Sequence, residues 1–170
     1  MELYPLRSSL VRPGEAITSK FSEALSRRNV RLRNGDVVAV ASKVVAIAEG
    51  RLRPLSRVRP SRLAIRLGRQ YSLPPSFVQV VIDEADQVYG GVKGALLTLK
   101  NGEATANAGV DQKNAPKGFV VLWPPKPNDS ARKIRVSLSR SFRKRIGVIV
   151  VDSRVTPLRL GTVGVALGSS

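Results

Sequence analysis

The sequence predicts an α+β fold that forms a single compact domain over residues 1–170. The length of 170 residues with 42% hydrophobic content is enough for one real core. Several segments repeat apolar residues at helical spacing, while others are short apolar runs between turn residues, which is typical of strands. No internal repeat and no low-complexity linker divides the chain. We therefore expect helices and strands to share one domain.

Strands and helices are predicted in turn along the first third of the chain. The apolar start at residues 3–6 indicates an edge strand, and apolar residues spaced by four predict a helix over 14–28. An Asn-Gly turn then leads into 36–41, an apolar run typical of a buried strand. Ser42 follows directly and is well placed to cap the next segment.

Two helices and a hairpin are predicted in the middle of the chain. Pro60-Ser61 begins a basic helix, with Leu63 and Leu67 facing inward and Ile65 beside them. Pro74-Pro75 begins a second helix, which we expect to end at Gly90-Gly91. The turn pair Asn101-Gly102 lies between two apolar runs, 94–100 and 103–108, and predicts a β-hairpin.

The last third is predicted to contain one helix and three strands. Ile134, Leu138 and Phe142 recur every four residues after a capping sequence at 128–130. Apolar runs at 118–123, 147–152 and 161–168 predict strands, of which 147–152 is the most strand-like.

Positive charge is concentrated in two blocks. The chain has 29 basic and 12 acidic residues, a formal charge of +17, and no acid lies between Gly50 and Ile82. The two blocks hold Arg51, Arg53, Arg57, Arg59, Arg62, Arg66 and Arg69, and then Arg132, Lys133, Arg135, Arg140, Arg143, Lys144 and Arg145. Such density favours binding of polyanions, nucleotide phosphates or an acidic substrate; the alternative is a solvated, arginine-rich surface. Aromatic residues are only 5% of the chain, which weakens the case for nucleic acid.

The composition excludes several kinds of chemistry. Without Cys or His the chain has no disulfide, no Cys/His zinc site, no thiol nucleophile and no Ser-His-Asp triad. Any metal must be held by oxygen, which favours Mg²⁺ or Mn²⁺. No apolar stretch approaches the ~20 residues of a membrane span, and the start is not a signal peptide, so we expect a cytoplasmic protein without membrane contact.

Two aspartates are candidate metal ligands. Asp111 follows a tight turn after the predicted hairpin, and Asp152 ends the apolar strand 147–152. Proteins of mixed α and β structure often hold metal and phosphate where acidic residues and glycine-rich backbone follow a buried strand. If both carboxylates converge, they would carry the ion that neutralises a triphosphate. The alternative is that each Asp accepts backbone N–H bonds within its own turn.

Ser42-Lys43 is a second candidate. It offers a hydroxyl and a positive charge directly after a buried strand, where a phosphate group could bind. The alternative is a plain helix cap beside a solvated lysine, and composition leaves both open.

Five stretches, in one order over nearly the whole chain, resemble the coenzyme F420-0:L-glutamate ligase family (the F420 gamma-glutamyl ligases). They are Gly35–Val38 with Ser42–Val45 and Ala48–Arg51; Phe77–Gln79; Asn107–Asp111 with Asn114; Leu122–Ala131; and Gly147–Ser153 with Pro157, Arg159, Gly161, Gly164, Ala166 and Gly168.

This resemblance implies the N-terminal portion of that ligase fold and a GTP- and divalent-metal-dependent enzyme. Such an enzyme activates a carboxylate of F420-0 as an acyl phosphate, which the amine of L-glutamate attacks. It would be archaeal-type and cytoplasmic, with a homodimer or a complementary C-terminal chain as partner, and its ligands would be a nucleotide and a phosphate-bearing small molecule. The resemblance assigns no catalytic side chain.

The resemblance also assigns binding roles. Asp111, Asp152 and Ser153 correspond to the family's positions for Mg²⁺ or Mn²⁺. Ser42, Lys43 and Asn114 would contact GTP, as would Leu10 and Val11, which align with the family's N-terminal nucleotide-contacting loop.

The chain also departs from the family pattern. Ile47 stands where the family usually has a nucleotide-binding Lys, Lys126 replaces an Asp, and 154–156 replaces the usual turn before Pro157. We expect a shortened homologue that lacks the family's C-terminal part. Two hypotheses follow: an enzyme, as a short ligase or half of a split one, or a non-catalytic ligase-like domain that binds a nucleotide, RNA or a partner protein through its basic surface.

Overall fold

A computed structural model describes residues 2–155 and 160–170, and its mixture of helices and strands confirms the predicted α+β class. Pro157 and Arg159, which contribute to the family resemblance, lie outside the described residues. Along the chain the elements are α1 (Ile17–Arg28), β1 (Val37–Ala41), α2 (Ser42–Ala48), β2 (Leu52–Pro54), α3 (Arg62–Tyr71), α4 (Pro75–Glu84), β3 (Gln87–Val92), β4 (Ala95–Lys100), β5 (Glu103–Ala106), β6 (Phe119–Val121), α5 (Pro127–Phe142), β7 (Gly147–Arg154) and β8 (Val163–Ser169).

These elements form two compact units. The first unit comprises residues 2–51, 124–152 and 165–170, and the second comprises 52–123 with the described parts of 153–164. Each unit has a hydrophobic core of its own. The expectation of a single domain over 1–170 stays a prediction.

The first unit is built on a three-stranded sheet in the order β1-β7-β8. β1 and β7 run parallel, with Val38 opposite Val148 and Ala41 opposite Val151. Helix α5 covers one face of this sheet because its buried Ile134 and Leu138 share a core with the strand valines. Since β1 and β7 are parallel and Ala41 lies opposite Val151, the next residues of the two strands, Ser42 and Asp152, lie at the same edge.

The second unit combines two antiparallel sheets with the helix pair α3 and α4. Strands β3, β4 and β5 form one sheet, and β2 pairs with β6 in the other. The buried face of α4 supplies Phe77, Val78 and Val81 to the core, where they join Leu96 and Val120. The predicted hairpin around Asn101-Gly102 is confirmed.

Three expectations about the elements are wrong. Residues 3–6 form no strand: Leu3 is 82% exposed and has no apolar surface to cover it. Helix α4 ends at Glu84, and Gly90-Gly91 instead lies within β3, paired with β4. Finally, Leu63 and Ile65 of α3 are exposed, because α3 packs through Ala64 and Gly68.

Of the helices in the described part of the chain, none combines the length and the apolar character that crossing a bilayer requires.

Candidate functional site

Ser42, Lys43 and Asp152 form a polar cluster in the first unit. Ser42 and Lys43 begin α2 directly after β1, and Asp152 follows Val151, the residue of β7 that lies opposite the end of β1. The Ser42 hydroxyl donates to Asp152 Oδ1 at 2.9 Å. Lys43 Nζ lies 3.5 Å from the same oxygen. The parallel pairing of two strands thus brings Asp152 to Ser42 and Lys43, which lie 110 and 109 positions before it in the sequence.

Most of this cluster is shielded from water. Ser42 is 1% exposed, and the side chains of Asp152 and Lys43 are 12% and 32% exposed. A carboxylate that is largely desolvated needs donors or a counter-charge, and here it has both. The interpretation of Ser42 as a helix cap is wrong: Ala41 is the N-cap residue of α2, and the Ser42 hydroxyl is committed to Asp152 instead.

The cluster has donors that suit a hard divalent ion. Mg²⁺ and Mn²⁺ take oxygen ligands, and in phosphoryl-transfer sites Mg²⁺ often uses one or two carboxylates, waters and substrate phosphates. Asp152 supplies a carboxylate and Ser42 a hydroxyl, so the residues present fit such an ion. Among the described residues no group of three or more acidic side chains converges, so the remaining ligands would come from elsewhere.

Asp111 and Asn114 come together in the second unit. Asp111 exchanges two backbone hydrogen bonds with Val121, at 2.9 and 2.8 Å. Its Oδ1 accepts from the Lys113 backbone N–H (2.7 Å), and its Oδ2 accepts from the Asn114 side-chain amide (2.8 Å). Both carboxylate oxygens therefore have partners within their own turn, as the alternative interpretation of this aspartate expects.

A tight turn positions Asp111. Residues Asn107–Gly109 form a single tight turn in which all three residues have positive φ, 53°, 51° and 72°. A Cβ on Gly109 would lie 2.2 Å from the Trp123 ring, so only glycine allows this approach. The turn is buried in the second core, and it fixes the direction in which the chain reaches Asp111.

The other predicted ligand residues lie beside these groups or apart from them. Ser153 follows Asp152 in β7, and its side chain is exposed. Val11 is buried, whereas Leu10 is 78% exposed in a segment without regular structure. The predicted roles of Ser153, Leu10 and Val11 stay predictions, as does the convergence of Asp111 with Asp152, which belong to different units.

Glu15 helps to fix the segment that holds Leu10 and Val11. The Arg12 backbone N–H donates to Glu15 Oε2 at 2.8 Å, and Lys20 Nζ lies 3.3 Å from the same oxygen. These two contacts hold the pKa of Glu15 below its usual range. The Gly14 N–H also donates to the carbonyl of Ala48 (2.9 Å), which ties this segment to the end of α2.

Sequence reasoning missed a contact between two of the resembling segments. The buried Ser130 hydroxyl, in the first turn of α5, donates to Glu49 Oε1 at 2.5 Å, just after α2. The two residues are 81 positions apart, and no local pattern joins them. This hydrogen bond links the helix that begins with Ser42 and Lys43 to the helix that covers the sheet.

The positions that depart from the family pattern lie in different surroundings. Ile47 is half-buried in α2, and Lys126 is exposed at the N-cap of α5. Arg154 pairs with Glu103 and lies over the Trp123 ring, 5.8 Å from its centroid. The second unit therefore uses the replacement at Arg154 for packing.

Comparison with known proteins defines the family. The family model described as F420-0:Gamma-glutamyl ligase matches residues 5–170. A coenzyme F420:L-glutamate ligase of Methanopyrus kandleri is 37% identical over 161 residues, which is 94% of this chain and 62% of the relative. Relatives of the same name from Archaeoglobus fulgidus and Methanocaldococcus jannaschii are 35% and 34% identical over 171 residues, covering all of this chain and 67% of each relative.

The structure gives the class, and the comparisons give the family. The chain is an α+β protein, and it belongs to the F420-0:gamma-glutamyl ligase family. It spans about two thirds of the length of these curated relatives, 62–67%.

Proposed function

We propose that this chain carries the nucleotide- and metal-binding part of a GTP-dependent ligase that joins F420-0 to L-glutamate. The observation that carries the proposal is the family match over residues 5–170. The cluster of Ser42, Lys43 and Asp152 supports it, because oxygen donors and a cation lie together at the end of two parallel strands.

In this proposal Asp111, Asp152 and Ser153 would hold a Mg²⁺ or Mn²⁺ ion, and the Ser42 hydroxyl beside Asp152 would contact GTP. The ion supplies charge neutralisation of the triphosphate and orients the transferring phosphoryl group. Ser42 is already fixed by its bond to Asp152, so its hydroxyl would require little reorganisation. Lys43 would exchange its contact with Asp152 for a phosphate oxygen of GTP.

The proposed reaction has two steps. A carboxylate of F420-0 attacks the γ-phosphorus of GTP, which forms an acyl phosphate and releases GDP. The amine of L-glutamate then attacks the acyl carbon, releasing inorganic phosphate and a proton as the amide bond forms. Lys43, Asn114 and the segment with Leu10 and Val11 would bind the nucleotide. The reaction is proposed for the cytoplasm, with a second copy or a complementary C-terminal chain completing the site.

A product assay tests the ligase proposal. The chain is incubated with F420-0, L-glutamate, GTP and Mn²⁺, and the cofactor is analysed by mass spectrometry. We expect a product heavier by one glutamyl residue, with one phosphate released per amide and no product when GTP is omitted. The assay is repeated with an added full-length relative that has been made inactive at its own GTP site. If the chain binds GTP but forms no product in either assay, the ligase proposal is wrong.

A further inference from the structure

Helix α3 presents three arginines on one outer face. Arg62, Arg66 and Arg69 are spaced by four and three residues, so they lie along one line of the helix. All three are exposed, and Ile65 and Gln70 flank them. We call these three residues the arginine stripe.

No acidic residue compensates the stripe. The sequence has no Asp or Glu between Gly50 and Ile82. Over residues 2–155 and 160–170, none of the three arginines has an ion-pair or hydrogen-bond partner, whereas the nearby Arg53 pairs with Asp83 at 2.8 Å. The stripe is thus a row of charges that the fold itself leaves uncompensated.

Two arginines of the stripe weaken their own helix. Arg62 is the first residue of α3, beside the positive end of the helix dipole, and the first turn contains no acid. Arg62 and Arg66 add like-charge repulsion at a spacing of four. The two longer helices are different: α1 has Arg27 and Arg28 in its last turn, and α5 pairs Arg132 with Asp129. Arg69, in the last turn of α3, is placed as favourably as Arg27 and Arg28, so helix stability explains those arginines but not Arg62 and Arg66.

The helix that carries the stripe is nevertheless held firmly. The Ser61 hydroxyl caps α3 by accepting from the Ala64 N–H at 3.2 Å, and Gln79 of α4 accepts from the Ser61 N–H at 2.9 Å. Gly68 packs closely: a Cβ there would lie 2.8 Å from the Leu73 carbonyl oxygen. The arginines therefore project from a rigid scaffold, which lowers the entropy lost on binding.

We propose that the arginine stripe binds the phosphate backbone of double-helical nucleic acid, without regard to base sequence. The stripe is about 10 Å long at the rise of an α-helix. A duplex carries about six charges over that length, whereas an extended acidic peptide carries about three. Guanidinium groups pair with phosphate through two parallel hydrogen bonds. No aromatic side chain lies on the stripe, so the face lacks the stacking platforms of single-strand binders.

The test compares two triple variants that remove the same charge. One is Arg62→Gln, Arg66→Gln and Arg69→Gln. The control is Arg28→Gln, Arg31→Gln and Arg33→Gln, which are exposed arginines at and after the end of α1. Fluorescence anisotropy measures binding of a labelled 20-base-pair RNA duplex, a DNA duplex of the same sequence and one single strand, each from 50 to 200 mM salt. Thermal unfolding is recorded for every variant.

When the logarithm of the binding constant is plotted against the logarithm of the salt concentration, the slope is negative. In the stripe variant we expect this slope to be shallower by about 2.7, or 0.9 per lost phosphate contact. The thermal midpoint of this variant should be nearly unchanged, since Arg62 and Arg66 weaken the helix whereas Arg69 stabilises its last turn. The control variant should change the slope by less than about 1. Arg66→Gln alone should make the slope shallower by about 0.9.

Three results would overturn the proposal. Equal loss in both triple variants would mean that the net charge, and not the stripe, binds the duplex. Tighter binding of the single strand than of either duplex would exclude backbone recognition of a double helix. Poly-L-glutamate and unlabelled duplex are each used to displace the labelled duplex. If poly-L-glutamate displaces it as effectively per charge as the duplex does, the stripe is a surface for acidic proteins.

Discussion

Ser42, at the end of β1, is hydrogen-bonded to Asp152 of the neighbouring strand β7. Its hydroxyl is buried and donates to Asp152, so the serine both fills space and partners a largely desolvated carboxylate. Removal of this hydroxyl takes one donor away from a carboxylate that the fold has largely desolvated, which costs more than the bond itself contributes.

We predict that Ser42→Ala destabilises the fold by about 1–3 kcal/mol, because Asp152 Oδ1 keeps Lys43 but loses its closer donor. Urea unfolding measures the change. Ser19→Ala is the matched control: its hydroxyl is exposed on α1 and donates to the Ala16 carbonyl, so the change should stay within about 0.5 kcal/mol. Equal effects in the two variants would contradict the assigned role of Ser42.

Gly109 is a second residue on which the arrangement depends. We predict that Gly109→Ala destabilises by more than about 4 kcal/mol, since the new methyl group would overlap Trp123 in the buried turn before Asp111. Gly102→Ala is the control: it has a similar φ, 77°, with nothing within 4 Å of the added Cβ, and should cost about 1–2 kcal/mol. Thermal unfolding compares the two variants, and similar losses would mean that the approach to Trp123 is not tight.

At the scale of elements, α5 holds the first unit together. Its inner face contributes Ile134 and Leu138 to the core, and Phe142 meets Phe21 of α1 edge to face, with ring centroids 6.2 Å apart. The four-residue spacing of these apolar side chains was enough to predict this helix from sequence, because a single buried stripe produces that pattern.

We predict that Leu138→Ala destabilises by about 2–5 kcal/mol, because Leu138 is completely buried against the sheet. Val136→Ala, on the opposite face and 46% exposed, should change stability by less than about 0.5 kcal/mol. Denaturant unfolding distinguishes them. A small effect at Leu138 would mean that α5 does not cover the sheet as described.

Elements whose pattern depends on distant partners were harder to predict. Gly90-Gly91 signals the end of a helix locally, but these residues pair with β4, and that pairing decides the structure. Residues 3–6 have a strand-like composition but no neighbouring strand. In both cases the outcome depends on tertiary contacts, to which a short window of sequence is blind.

Part of the candidate site follows from one rule of sheet geometry. Strands 36–41 and 147–152 were both predicted, and Ser42 and Asp152 were each named as candidates at the end of one of them. The parallel pairing that brings the two residues together comes from the structure. The bond between Glu49 and Ser130 could not be predicted, because nothing in either segment specifies the other. For Asp111 the sequence left open that the carboxylate accepts hydrogen bonds within its own turn, and Lys113 and Asn114 donate such bonds.

At the scale of the whole molecule, charge is the dominant property. A formal charge of +17 raises the local concentration of anionic ligands, whether a nucleotide at the cluster or a polyanion on α3. These two uses are separable, because Lys43 belongs to the first unit and the arginine stripe to the second.

The central claim is that Asp152 binds a divalent ion together with a nucleoside triphosphate. Calorimetry with GTP and Mn²⁺ tests it on the unmodified chain, on Asp152→Asn and on Asp129→Asn, an exposed aspartate of α5 that serves as control. We predict that Asp152→Asn weakens Mn²⁺-dependent GTP binding at least about 100-fold while thermal unfolding confirms that it folds. The control variant should bind as the unmodified chain does. Undiminished binding by folded Asp152→Asn would contradict the account.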